Sequence, residues 1–168
     1  MSRNLRATLP FLLLALIAPA LQAQARLAVY GTVGGEKSGL PNVGWTTAET
    51  FGLYVGVAKL GPLAFSVDGR ADLSSKIKSG LVGPRLAVRL PALPLKPYVE
   101  VLIGASTYAT FPNGLKDNSQ FASRVVFGAD SSVLPHLDWR VVDFSYGLNQ
   151  SANGDHAKTI STGLVLRL

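Results

Sequence analysis

Cysteine is absent from all 168 residues, which removes disulfide staples, thiolate nucleophiles, cysteine metal sites and the lipidated cysteine of a lipoprotein. Histidine occurs only as His136, beside Pro135 and near Asp138, and His156, beside Asp155. Two imidazoles without a thiol make no convincing transition-metal set. Neither falls in a strand pattern that would hold it beside a serine and an acid, so a Ser–His–acid constellation is not expected. The glycine run at 31–35, Gly-Thr-Val-Gly-Gly, lacks the following helix that a phosphate loop needs. No catalytic, cofactor-binding or metal-ligating set emerges, and the reading is of a protein that is not an enzyme. A strong charge of one sign is missing too: 16 basic against 10 acidic residues is too small and dispersed an excess for nucleic acid. Long apolar runs are missing after residue 25, although 48% of the residues are hydrophobic and the mean hydropathy is +0.28.

Arg3 and Arg6 precede an apolar stretch over 9–20, interrupted by Pro10 and Pro19, and the small residues Ala23 and Ala25 follow. That order is the pattern of a secretory signal peptide, cleaved after Ala23 or Ala25, with one domain over 26–168. The stretch is shorter than the ~20 residues a spanning helix needs. Without the two signal arginines, 14 basic residues (16 less two) face 10 acidic ones.

A chain this apolar with no membrane helix has one other way to cross lipid, a closed sheet that pairs every backbone group internally. Period-2 segments bounded by turn formers occur eight times, at about 27–34, 51–60, 63–73, 80–90, 97–108, 120–130, 139–149 and 158–168. Each is close to the ~9–11 residues of a tilted membrane strand. In the third, Leu63, Phe65, Val67, Gly69, Ala71 and Leu73 alternate with Ala64, Ser66, Asp68, Arg70 and Asp72; in the seventh, Val142, Phe144, Tyr146 and Leu148 alternate with Asp143, Ser145 and Gly147. In the last, Ile160, Thr162, Leu164, Leu166 and Leu168 make a face that is apolar but for one threonine. Connections alternate as well: the gaps after odd-numbered segments, 35–50, 74–79, 109–119 and 150–157, run longer on the whole than 61–62, 91–96 and 131–138, and two of the four exceed every gap after an even-numbered segment. This is the rhythm of a transmembrane barrel with long outer loops and short periplasmic turns. Pro84 cannot donate to a ladder, so a bulge or local irregularity is expected there. Alternation alone leaves open a soluble, lipocalin-like barrel with the apolar face inward.

On these features, the leader, the eight amphipathic strands, the loop rhythm and the apolar last strand, the chain resembles the small eight-stranded bacterial outer-membrane barrels of the OmpA-domain and OmpX type. The resemblance implies an all-β, antiparallel up-and-down transmembrane barrel in a Gram-negative outer membrane, monomeric and surrounded by outer-membrane lipid. Its last strand would be read by the barrel-assembly machinery; in that family it usually ends on an aromatic residue, where this sequence has Leu168.

An eight-stranded barrel is filled by its own side chains, so the wet faces predict a lumen network of Asp68, Arg70, Asp72, Arg85, Arg89, Glu100, Arg124, Asp143 and Arg167. Glu100 is expected to pair with Arg85, Arg89 or Arg124, since buried charges need partners. Tyr30, Tyr54, Tyr98, Tyr108, Trp45, Trp139 and Tyr146 lie near strand ends, as a membrane-boundary girdle does, with Tyr30 and Tyr54 alternatively inside. The turn-rich segments 111–118 and 149–156 are candidate outer loops for an unidentified surface ligand. A structural or surface-interaction barrel without enzymatic chemistry is the expected function. A narrow channel, a lipid-active enzyme and a soluble binding barrel are the alternatives.

Overall fold

The computed structural model describes residues 26–37, 44–75, 77–89, 94–108, 119–149 and 156–168. The signal-peptide segment, the candidate loop segment 111–118 and residues 150–155 of the segment 149–156 lie outside the described residues. Eight strands follow in order: β1 (Leu27–Lys37), β2 (Thr46–Leu60), β3 (Leu63–Ser74), β4 (Ile77–Val88), β5 (Leu95–Tyr108), β6 (Gln120–Leu134), β7 (Leu137–Asn149) and β8 (His156–Arg167). Each pairs antiparallel with its sequence neighbour, and β1 pairs with β8 to close the barrel. Closure leaves no strand with an unpaired edge.

Alternation sets which side each residue faces. Outward stand Phe51, Leu53, Val67, Val101, Ile103, Phe127, Phe144, Ile160 and Leu164, all exposed. Inward and buried stand Asp68, Arg70, Asp72, Arg85, Glu100, Arg124 and Asp143. The apolar face is therefore the exterior, the reverse of a soluble lipocalin-like barrel.

Two of the tight turns rest on left-handed backbone. Gly61, φ 57°, precedes Pro62 between β2 and β3, and His136, φ 74°, follows Pro135 between β6 and β7. Glycine adopts such a φ freely, whereas histidine pays for its Cβ.

Bulges interrupt the ladders at Gly56/Ala58, at Ala129/Asp130, at Ser132/Leu134 and between Arg140 and Asp143. The last explains the odd threonine of β8. Thr162 donates its hydroxyl to the carbonyl of Arg140 at 2.8 Å and accepts from the Trp139 indole at 3.0 Å, so a polar side chain closes the ladder where the bulge opens it.

The structure corrects several expectations. At Pro84 the expected local irregularity is present but takes the form of a gap, not a bulge: it stays in register opposite Val67, while the β4–β5 ladder skips Gly83 and Pro84 and resumes unshifted at Arg85. The β3–β4 connection, residues 75–76, is as tight as the two-residue turns at the other end, so the loop rhythm is carried by 38–45 and 109–119. Strands also run further than the apolar alternation, notably β1 to Lys37, β2 back to Thr46 and β6 to Leu134. Tyr98, read as a boundary aromatic, is buried inside the lumen with Tyr30 and Tyr54, while Trp45, Trp139 and Tyr146 face outward.

Candidate functional site in the charged lumen

Three arginines and three acids form a closed ring across the lumen. Arg70 donates to Glu100 Oε2 at 2.6 Å, Arg85 Nε donates to Glu100 Oε1 at 3.0 Å, and Arg85 Nη2 donates to Asp130 Oδ2 at 2.8 Å. From Asp130 the ring continues to Arg140 Nε at 3.0 Å, then through Arg140 Nη1 to Asp143 at 3.3 Å. Asp143 returns to Arg70 through two parallel bonds of 3.2 Å. Such a two-pronged guanidinium–carboxylate contact fixes orientation as well as charge. Signs alternate around the ring, so six desolvated charges sum to zero, the arrangement that makes buried ions tolerable.

Tyrosines lock the ring in place. Arg85 lies 4.2 and 4.1 Å from the ring centroids of Tyr54 and Tyr98, and Arg140 lies 4.0 and 4.8 Å from those of Tyr30 and Tyr98. These are cation–π distances in a desolvated setting. Two of the three tyrosine hydroxyls donate to acids two strands away, Tyr30 to Asp68 at 2.8 Å and Tyr98 to Asp143 at 2.6 Å. Each phenol crosses a glycine on the intervening strand, Gly52 and Gly128, where a Cβ would collide with it. The two halves of the barrel thus repeat one device, tyrosine over glycine onto aspartate.

Above and below the ring sit two smaller groups. Toward the longer connections, Asp72 accepts from Arg124 at 2.9 Å, Thr50 at 2.7 Å and Ser79 at 3.0 Å, and Arg124 also reaches Glu36 at 3.4 Å. At the short-turn end, Asp138 pairs with Lys96 at 2.9 Å and Arg167 at 3.0 Å. Apolar contacts fill the remaining space: Leu81, Ala87, Leu102, Ala122 and Val126 beside Tyr98, and Ala28 and Val165 beside Tyr30 and Tyr54.

Of the nine residues expected in the lumen, eight take part in these contacts, and Arg89 stands half-buried at the short-turn end with no ion pair among the described residues. Glu100 does pair with Arg85, but its shorter contact is with Arg70; Arg124 serves Asp72 and Glu36 instead. Sequence reading missed Glu36, Lys96, Asp130, Asp138 and Arg140. Arg140 was hidden by the bulge before Asp143, which breaks the alternation, and Glu36 by a strand end placed too early.

Both histidines lie on exposed edges. His136 Nδ1 is 3.2 Å from the carbonyl oxygen of Arg167, and the His156 ring stacks on Tyr146 at 5.5 Å. Among the described residues no group of three or more His, Cys, Asp or Glu side chains is placed to hold a metal ion.

No protein-family model and no curated protein matches the sequence. Solved structures match it in fold. Neisserial surface protein A aligns with a TM-score of 0.58 at 17% identity, over 84% of this chain and 97% of that one. The outer membrane enzyme PagL aligns with a TM-score of 0.56 at 15% identity, over 83% and 98%. For the N-terminal β-barrel domain of Pseudomonas aeruginosa OprF the values are 0.52, 10%, 86% and 100%. The chain has the fold of the small eight-stranded outer-membrane barrels. One of these three is described as an enzyme, so the fold does not fix an activity.

Proposed function

We propose that this protein is an integral, non-enzymatic outer-membrane barrel, plugged by its own charges, with a structural role and with its longer connections available for surface contacts. The inverted polarity carries this reading: a girdle of exposed Phe, Leu, Val and Ile surrounds buried arginines and carboxylates. In water an apolar exterior of this extent drives association; against hydrocarbon it is the favoured surface. Strands of 11 to 15 residues are long enough to cross. The closed β1–β8 seam supports a monomer, and the outward apolar row of β8 suits an assembly factor that reads a last strand. Connections of eight and eleven residues, 38–45 and 109–119, gather at one end, away from the turns 61–62 and 135–136. We assign the short-turn end to the periplasm on that asymmetry.

A plugged wall is favoured over a channel because the ring spans the lumen with side chains that are almost fully buried. Both imidazoles make other contacts: His136 Nδ1 lies 3.2 Å from the Arg167 carbonyl oxygen and the His156 ring stacks on Tyr146.

Envelope fractionation with gel mobility before and after boiling tests the reading. Outer-membrane recovery with a heat-dependent shift is expected; recovery as soluble periplasmic protein would overturn it. Discrete conductance steps in planar bilayers would remove the plug from the proposal. Lipid turnover lost on His136→Ala or His156→Ala would remove the non-enzymatic part.

A further inference from the structure

Two cavities of about 340 and 350 Å³ open at the short-turn end of the lumen, at the lower end of the range for small-ligand sites. Both are lined by Arg26, Tyr54 and Arg89; the first adds Lys59 and Arg85, the second His136 and Arg167. No acidic side chain lines either one; Leu168, which carries the terminal carboxylate, lines the second but forms no ion pair among the described residues. Arg85 is neutralised by Glu100 and Asp130, and Arg167 by Asp138. Among the described residues no acid pairs with Arg26, Lys59 or Arg89, and the Nε atoms of Arg89 and Arg167 are buried without a hydrogen-bond partner. The charge of Arg89 is disfavoured by burial and by the like charges of Arg167, Arg26 and Arg85, against an opposing influence from Tyr54. Arg89 is half-buried and Arg26 and Lys59 stand exposed at the rim, and cations gathered without a counter-charge leave a site electrostatically incomplete.

We propose that this vestibule binds a phosphate-class oxyanion, held by Arg26 and Arg89 with Lys59 and Arg167 around it. Guanidinium forks match the oxygens of phosphate in pairs, and three unpaired cations suit an anion of more than one charge. Apolar lining from Leu27, Ala58 and Phe65 leaves room for an organic portion beside the charged group. The anion is either free phosphate or the phosphate of a lipid headgroup. The vestibule is a dead end, because its inner wall, Arg85, belongs to the sealed ring, so the anion is held there and not passed on.

The test uses the processed, membrane-extracted protein in a phosphate-free non-ionic detergent, titrated calorimetrically with inorganic phosphate and, separately, with dihexanoyl phosphatidylglycerol. Saturable binding that weakens with added salt is expected for at least one probe. Arg89→Gln and Arg26→Gln should each weaken it by about tenfold, the loss expected for one charge-assisted contact. Lys158→Gln, on the outer wall over Tyr146, should leave it unchanged. Phosphate binding identifies a free anion; binding of the lipid alone identifies a headgroup. Binding of neither probe, or binding indifferent to Arg89→Gln, overturns the proposal. A retained heat-dependent gel shift establishes that each variant is folded, which separates loss of the site from loss of the barrel.

Discussion

Arg85 and Arg89 lie four residues apart on the same inward face, yet their surroundings are opposite. Arg85 meets two carboxylates and two tyrosine rings; Arg89, two periods of the alternation closer to the mouth, meets like charges and no acid among the described residues. Depth in the lumen separates them. In the middle, water is excluded and an unpaired ion carries the full desolvation penalty, so charges there come in alternating, mutually satisfied sets. At the mouth, solvent supports a lone cation, and the unspent hydrogen-bond donors remain available to something that arrives. A count of lumen charges does not distinguish the two situations; only the pairing does.

The comparison breaks most visibly at Arg70. Arg70→Leu strips a partner from Glu100 and from Asp143 and opens the ring, and severing buried ion pairs from one side costs about 3–5 kcal/mol. Urea unfolding followed by the gel shift should move to markedly lower denaturant. Adding Glu100→Leu should restore part of the loss, since removing both charges is milder than stranding one; a double variant weaker than the single one would count against a ring held by alternation.

A smaller effect separates the two tyrosine devices. Tyr30→Phe removes the one hydrogen bond that Asp68 accepts among the described residues, leaving it a 3.8 Å ion pair with Arg70 and an oxygen that is buried and unpartnered, at about 1.5–3 kcal/mol for a bond to a charged group. Tyr98→Phe should cost less, because Asp143 keeps Arg70 and Arg140. Equal losses would show that packing over Gly52 and Gly128, and not the hydroxyls, governs both. Smaller again, His136→Gly should stabilise the barrel by about 0.5–1 kcal/mol by relieving a left-handed histidine.

Much of the scaffold was legible in the alternation. All eight strands, their neighbours and the inward set from Asp68 to Arg167 follow from period 2, because each strand has one face in an apolar medium and one among polar groups. Strand ends were not legible. The Thr-Thr-Ala-Glu-Thr stretch at 46–50 continues β2 with hardly any apolar signal, and Glu36 was lost the same way at the end of β1. Arg140 lay beyond reach for a different reason: the bulge before Asp143 shifts the parity, and a bulge leaves no mark in hydropathy. Tyr98 misled because an aromatic near a strand end fits a boundary belt as well as a lumen, and only its surroundings, Gly128 opposite it and Arg85 over its ring, decide. Partner choice is non-local. Nothing in the chain near Glu100 tells that Arg70, 30 residues away, reaches it before Arg89 does.

The sharpest form of the comparison is also the smallest expected change. Arg89→Gln keeps much of the side-chain volume and removes a cation with no acid to miss it, so stability in phosphate-free buffer should stay within about 0.5 kcal/mol, as for substitutions away from buried networks. A slight gain is the favoured direction, because the repulsion from Arg26 and Arg167 falls. Arg85→Gln, the same chemistry four residues earlier, should cost several-fold more by abandoning Glu100 and Asp130. If instead the two substitutions destabilise the barrel alike, Arg89 has a structural partner in the folded protein. The mouth would then be a continuation of the ring, and its arginines would have nothing left to offer a ligand.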